Sequence, residues 1–304
     1  MRLIVAALVL TGAALLVGCG SQRARPAHGS ASAQHAGRTS AADASARWRD
    51  DTSRPQSSRY RDTHDSIPDG PPPDLSKLPE PVPKVEPLAL YGNKSPYTVL
   101  GQSYRVLPSA RGYVERGIAS FYGNKFHGYK TSSLEDYDMY AYTAASKTLP
   151  LPSYARVTNL ENGKSVIVRV NDRGPFHDNR VIDLSYVAAV KIGVWPKGTG
   201  LVEVRGIDPS HGDAELPPPP VVTSRARPGI YLQVGAFSDV ANAERVAARL
   251  RQANFAPVQV MQVDINGRPV RRVRVGPLDD VERADDATAR IENMGLPRPQ
   301  VAVD

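Results

Sequence analysis

Two runs of proline divide this chain before any other feature does. Pro71-Pro72-Pro73, with Pro79, Pro81 and Pro83 at alternating positions, form one run, and Pro217 to Pro220 form the other. Proline lacks the N–H that helices and inner strands require, so such stretches read as extended spacers. Two pieces remain that can bury a core, residues 88–208 and 227–304. The 27 prolines and 24 glycines among 304 residues fit two compact domains on linkers better than one large fold. From Gly20 to about Pro87, apolar residues are too sparse to offset the entropy of ordering the backbone. Residues 19–87 are therefore expected to be a disordered tether, and 209–226 a second linker. His28, His35 and His64 fall in the tether without the spacing of a metal site.

The amino terminus sets the compartment. Met1-Arg2 is a basic start, and Leu3 to Val17 is an apolar run of signal-peptide length, too short to span a bilayer permanently. The single cysteine closes that run, and Leu16-Val17-Gly18-Cys19 resembles the bacterial lipobox. The resemblance implies removal of residues 1–18 and lipid on Cys19. Several acyl chains on one residue anchor stably where one would not. Gly20 follows the cysteine where an Asp would favour inner-membrane retention. The expected location is therefore the periplasm-facing leaflet of the outer membrane. A net charge of +7 suits an anionic partner. Neither a helix-turn-helix nor an RNA-recognition signature is present, so nucleic acid is set aside. No cofactor or metal is expected.

In the first packable piece, Val168-Arg169-Val170 alternates like a half-buried strand and ends in Asn171-Asp172-Arg173-Gly174-Pro175. A carboxylate held on a tight turn at a strand end is well placed for acid–base chemistry; an Asp–Arg pair that only stiffens the turn is the alternative. Residues 154–160 and 165–170 pair across a hairpin turn containing Asn162-Gly163. Short strands are expected at 97–107 (two, around a turn), 117–123, 180–184 and 200–207. A helix begins after Ser185 and ends at Gly193. Many short strands with one helix suggest a small barrel.

Phe126-His127-Gly128, Thr131, Glu135, Asp138-Met139, Thr143-Ala144-Ala145, Lys147-Thr148-Leu149-Pro150, Val170 to Pro175 and Val181 to Ser185 stand in a recognisable order and spacing. This set resembles the rare lipoprotein A family. The resemblance implies a six-stranded double-psi β-barrel and a lytic transglycosylase that leaves 1,6-anhydro ends on peptidoglycan glycan. By match to the family, Glu135 and Asp172 are the leading catalytic residues, with Asp138 third. Glu135 would donate the proton if burial raises its pKa, and Asp172, hydrogen-bonded by turn amides or by Arg173, would stay ionised. Asp138 would support its loop, and Asp183 would help cap the helix. Asn171, Arg173, His127 and Ser146 are the expected substrate contacts in the barrel. The chain departs from the family pattern at Ser146, where that pattern has histidine, and at Leu134, where it has glycine. Serine does not titrate near neutral pH, so a barrel that binds glycan without cutting it is the alternative reading. A hydrolase with paired carboxylates is a third.

The carboxy-terminal piece resembles a SPOR domain, a βαββαβ fold that binds septal glycan stripped of stem peptides. Strand 230–237 leads to helix 239–253, and strand 271–275 to helix 281–294, each helix apolar on one face. Leu232, Val234 and Ala236 should face the helices, leaving Tyr231, Gln233 and Arg274 on the open face, with Ser238 at the strand end. An aromatic, an amide and a guanidinium suit a sugar polymer. The fold class is mainly β plus α+β. The expected partners are denuded glycan strands, the membrane through Cys19, and division proteins at the septum.

Overall fold

The computed structural model describes residues 53–54, 58–177, 179–211 and 228–303. The leader, Cys19, His28, His35 and most of the second linker lie outside them.

A two-stranded hairpin, β1 (Tyr97–Val99) and β2 (Gln102–Tyr104), precedes the barrel. The barrel strands are β3 (Val114–Tyr122), β4 (Thr143–Ser146), β5 (Ser153–Asn159), β6 (Ser165–Asp172), β7 (Arg180–Ser185) and β8 (Thr199–Ile207). They close in the order β3-β7-β4-β6-β5-β8, with β3–β7 and β4–β6 parallel and the remaining pairs antiparallel. Closure leaves no unpaired edge. Val157, Val166, Val168, Val170, Ile182, Leu184, Val202 and Val204 fill the core. Helix α1 (Tyr186–Ile192) packs with them and stops at Gly193, whose φ of 76° suits glycine.

Strand β4 is the one barrel strand that sequence periodicity does not reveal. Thr-Ala-Ala-Ser is four residues long with only one β-branched member, and its extended state is imposed by pairing on both sides. Ala145 faces Asp172 across β6 and Asp183 across β7.

The tether expectation fails for the described residues before Pro87. Ile67, Leu75 and Leu78 pack on the barrel core, and Asp74 caps a short 3-10 turn at Leu75–Lys77. Glu80 accepts from the Ile167 amide at 2.6 Å and pairs with Lys191. Glu86 holds Arg169 through two bonds of 3.0 Å each. Prolines permit this docking because their fixed φ lowers the entropy lost on ordering.

The second domain is a four-stranded sheet, β10 (Val258–Ile265), β11 (Arg268–Leu278), β9 (Ile230–Phe237) and β12 (Gln300–Val303) in spatial order. Helices α2 (Val240–Gln252) and α3 (Val281–Asn293) start at Asp239 and Asp280, whose side chains accept from the third following amide. Leu232, Val234, Ala243, Leu250, Val273 and Ile291 form its core. Ala236 was expected inward but is exposed, because a bulge beside Val273 and Arg274 breaks the alternation. Ile118, Leu160 and Leu201 of the barrel pack into this second cluster, each 7% exposed or less.

Candidate active site

A cleft of about 1030 Å³ opens beside the Asn-Asp-Arg-Gly-Pro turn. Asp172 and Asp183 both line it, brought together by the two strands that flank β4. Ala145 between them is small, and Gly174, at φ 141°, turns the chain within 3.8 Å of the Ala145 methyl if given a Cβ.

Asp172 is half-buried. Its Oδ1 accepts from the Ser132 amide at 2.7 Å, the Ser132 hydroxyl at 2.6 Å and the Arg173 amide at 2.7 Å. Burial pushes its pKa above the usual carboxylate range, and these bonds oppose the shift without cancelling it. Burial likewise raises Asp183, against a bond from Ser120 and the positive charges of Arg180 and Lys147. Asp183 therefore belongs to the cleft and not to the helix cap. Ser185, at that cap, makes no side-chain capping bond and accepts instead from the Thr143 amide. The Tyr122 hydroxyl is buried near Thr143 and feels the negative charges of both aspartates.

Glu135 is placed differently from the sequence expectation. It takes Arg169 Nη1 at 2.6 Å and Asn171 Nδ2 at 2.9 Å. Burial would raise its pKa, but the Arg169 and Asn171 bonds prevail and hold it below the ordinary value. It braces Arg169 and Asn171 of β6 and does not line the cleft. Leu134 before it adopts φ 66°, the backbone region that favours glycine. The loop thus keeps a glycine-type path despite the substitution.

The other expected contacts divide between cleft and scaffold. Arg173 lines the cleft, yet its guanidinium is spent on the carbonyls of Gly92, Ser146 and Leu149 and on Asn93 Oδ1. Asn171 is 3% exposed and serves Glu135. Ser146 is buried and accepts from the Thr148 and Leu149 amides. His127 Nδ1 accepts from the Met139 amide, and Asp138 accepts from the Tyr140 amide, so both shape the loop before β4. Lys94, Lys125, Lys130 and Arg180 make the cleft cationic overall. Sequence reading missed Ser132, and also Arg59, Tyr60, Thr63, His64 and Asp65, which line the same cleft.

Residues 114–205 match the family model described as lytic transglycolase, and residues 226–302 match that of the SPOR domain. The endolytic peptidoglycan transglycosylase RlpA of Pseudomonas aeruginosa (strain UCBPP-PA14) is 41% identical over 278 residues. That alignment covers 74% of this chain and 81% of the relative. This chain belongs to the RlpA family. The endolytic peptidoglycan transglycosylase RlpA of Vibrio cholerae is 40% identical over 237 residues, covering 78% of this chain and 86% of that protein. The crystal structure of the RlpA SPOR domain from Pseudomonas aeruginosa is 34% identical, covers 24% of this chain and 97% of its own, and has a TM-score of 0.24. The RlpA motifs read from the sequence thus mark the family correctly, although several of their residues build the scaffold and do not face the cleft.

In this RlpA-family chain the SPOR sheet brings the expected side chains together, but Arg274 is 6% exposed and so is buried beside Tyr231, not displayed on an open face as expected. Arg274 stands opposite Gln233 in register and lies 5.9 Å from the centre of the Tyr231 ring. Ser238 is exposed in the turn before α2.

Proposed function

We propose that this chain is an endolytic lytic transglycosylase of peptidoglycan in which Asp172 is the acid and base. It works at the septal cell wall, where the SPOR domain binds glycan. The observation that carries the assignment is a carboxyl of raised pKa on the cleft wall, locked by three donors on one oxygen. A raised pKa keeps part of the population protonated closer to neutral pH, as a general acid requires. Asp172 gives its proton to the leaving glycosidic oxygen as the bond to C1 of N-acetylmuramic acid breaks. The 6-hydroxyl of the same sugar attacks C1, and its proton returns to Asp172. No water is consumed, so one carboxyl suffices where hydrolases need two. Asp183 lines the same cleft across Ala145 from Asp172. Glu135 holds Arg169 and Asn171, and so the end of β6, in place.

Ser146 lies outside this proton path. Its hydroxyl supports the turn after β4, so loss of the family histidine removes no group on which this mechanism depends. Lipid on Cys19, anchorage in the outer membrane and recruitment by division proteins complete the reading, supported by the lipobox-like leader.

Incubation with peptide-stripped glycan strands, followed by mass spectrometry, tests the reaction type. 1,6-Anhydro ends that vanish in Asp172→Asn are expected. Reducing ends without anhydro sugar would instead make Asp172 and Asp183 a hydrolytic pair.

A further inference from the structure

The segment just upstream of the barrel was expected to be tether, yet it is fitted to the cleft. Asp65 Oδ2 accepts from the Gly123 amide at 2.8 Å, and Oδ1 from the Lys125 amide at 3.1 Å. The Ser66 carbonyl accepts from the Asn124 amide at 2.9 Å, and the Arg61 amide donates to the Tyr129 hydroxyl at 2.6 Å. The Lys125 ammonium reaches the Thr63 carbonyl at 2.9 Å. A Cβ at Gly123 would lie 2.2 Å from the Ser66 carbonyl oxygen, so this crossing admits only glycine. The Tyr60 ring meets Phe126 and Tyr129 edge-on at 4.9 Å each. Residues 59, 60 and 63–65 share one continuous cavity with Asp172 and Asp183.

We propose that residues 59–65 are a glycan-binding wall of the active-site cleft, contributing Tyr60, Arg59 and His64 to substrate recognition. The inference rests on the transglycosylase reading and extends it to a segment outside the barrel. An aromatic ring fixed by its neighbours offers an apolar surface to the C–H face of a pyranose. A guanidinium and an imidazole add donors for hydroxyls and for the carboxylate of muramic acid. The Asp65 anchor spans the Gly123 and Lys125 amides just after β3, which holds the wall at the cleft that the Asn-Asp-Arg-Gly-Pro turn also lines. A strand of glycan lying in the cleft then touches the barrel on one side and residues 59–65 on the other.

The test is steady-state cleavage of a peptide-free glycan tetrasaccharide by the full chain. Asp65→Ala, Tyr60→Ala and Arg59→Ala are compared with wild type, and circular dichroism checks the fold. The wall predicts a KM raised roughly five- to tenfold with kcat changed less than twofold, the signature of lost uniform binding. Asp65→Asn, which retains one acceptor oxygen, should recover part of the loss. Should Asp65→Ala fail to fold, Tyr60→Ala and Arg59→Ala, whose changes lie at the cleft surface, decide the matter. An unchanged KM in those two would overturn the proposal. So would a raised kcat/KM, which would make the segment a cover over the cleft. A wild-type chain that yields no anhydro product would contradict the transglycosylase reading instead. The wall would then be judged by calorimetric binding of the tetrasaccharide to the same variants, with weaker binding expected and equal binding contrary.

Discussion

Asp172 ends β6 and Glu135 reaches the same strand end from the preceding loop, and their surroundings push the two carboxylates in opposite directions. Asp172 is raised by burial, and Glu135 is lowered because Arg169 and Asn171 outweigh burial. Replacing Asp172 with Asn should cost about 10²–10⁴ in kcat, the usual contribution of a general acid or base. Glu135→Gln should cost less, because it loosens Arg169 without removing the proton carrier. Single-turnover cleavage of glycan strands measures both. Ser146→Ala should lower stability by about 1–3 kcal/mol, since the Thr148 and Leu149 amides lose their acceptor, while the pH dependence of cleavage stays as in wild type. Urea denaturation beside a pH–rate profile checks that pair of outcomes. The motif residues were legible in the sequence, but their roles were not. The family resemblance singles out Glu135 and Asp172, whereas the partner of each carboxylate depends on which elements close beside β6. Arg169 alternates on a strand like any solvated arginine, and nothing local reveals that it faces Glu86 from 83 residues upstream.

At the scale of elements, the alternating strands, the Asn162-Gly163 hairpin and the glycine-terminated helix could be read directly, because their signals are local. Strand β4 could not, since its conformation is set by β6 and β7. The docked segment before Pro87 was hidden for a related reason: its composition resembles a spacer, and only scattered Ile67, Leu75 and Leu78 hint at packing. Its acidic anchors make a stability prediction. Glu86 is held below its ordinary value, chiefly by Arg169. A carboxylate lowered in the folded state contributes stability that is complete above its unfolded value, about 4.5, and lost as pH falls through the folded value. Wild type should therefore melt higher than Glu86→Gln at pH 7, and the gap should close as pH drops below about 4.5. Thermal melts across that range check it, and a gap that persists at pH 3 would show that Glu86 acts by packing alone.

Across the whole molecule, the barrel and the SPOR domain meet through Ile118, Leu160 and Leu201 and through Asn179. The Asn179 side-chain amide donates to Asp285 at 2.7 Å and to Thr288 at 3.1 Å, tying α3 to the loop before β7 that carries Phe176 and His177 along the cleft. Leu201→Asp would bury a charge there, so calorimetry should split one unfolding transition into two. Gln233 and Arg274 of the SPOR sheet lie on β9 and β11, apart from α3 and this contact. Gln233→Ala with Arg274→Ala should abolish enrichment at midcell while leaving cleavage of soluble glycan by the barrel intact. Fluorescence imaging of the double variant tests the first claim, and unchanged midcell signal would remove it.

The most direct test of the central claim is the pH dependence of kcat/KM for glycan cleavage in wild type, Asp172→Asn and Glu135→Gln. If Asp172 is the acid, wild-type kcat/KM falls as pH rises through a value above the ordinary carboxylate range. Glu135→Gln should keep that limb at lower amplitude, and Asp172→Asn should be slower by about 10²–10⁴ and lack the limb. A limb that disappears in Glu135→Gln, or cleavage by Asp172→Asn within tenfold of wild type, would contradict the account and return the proton to Glu135.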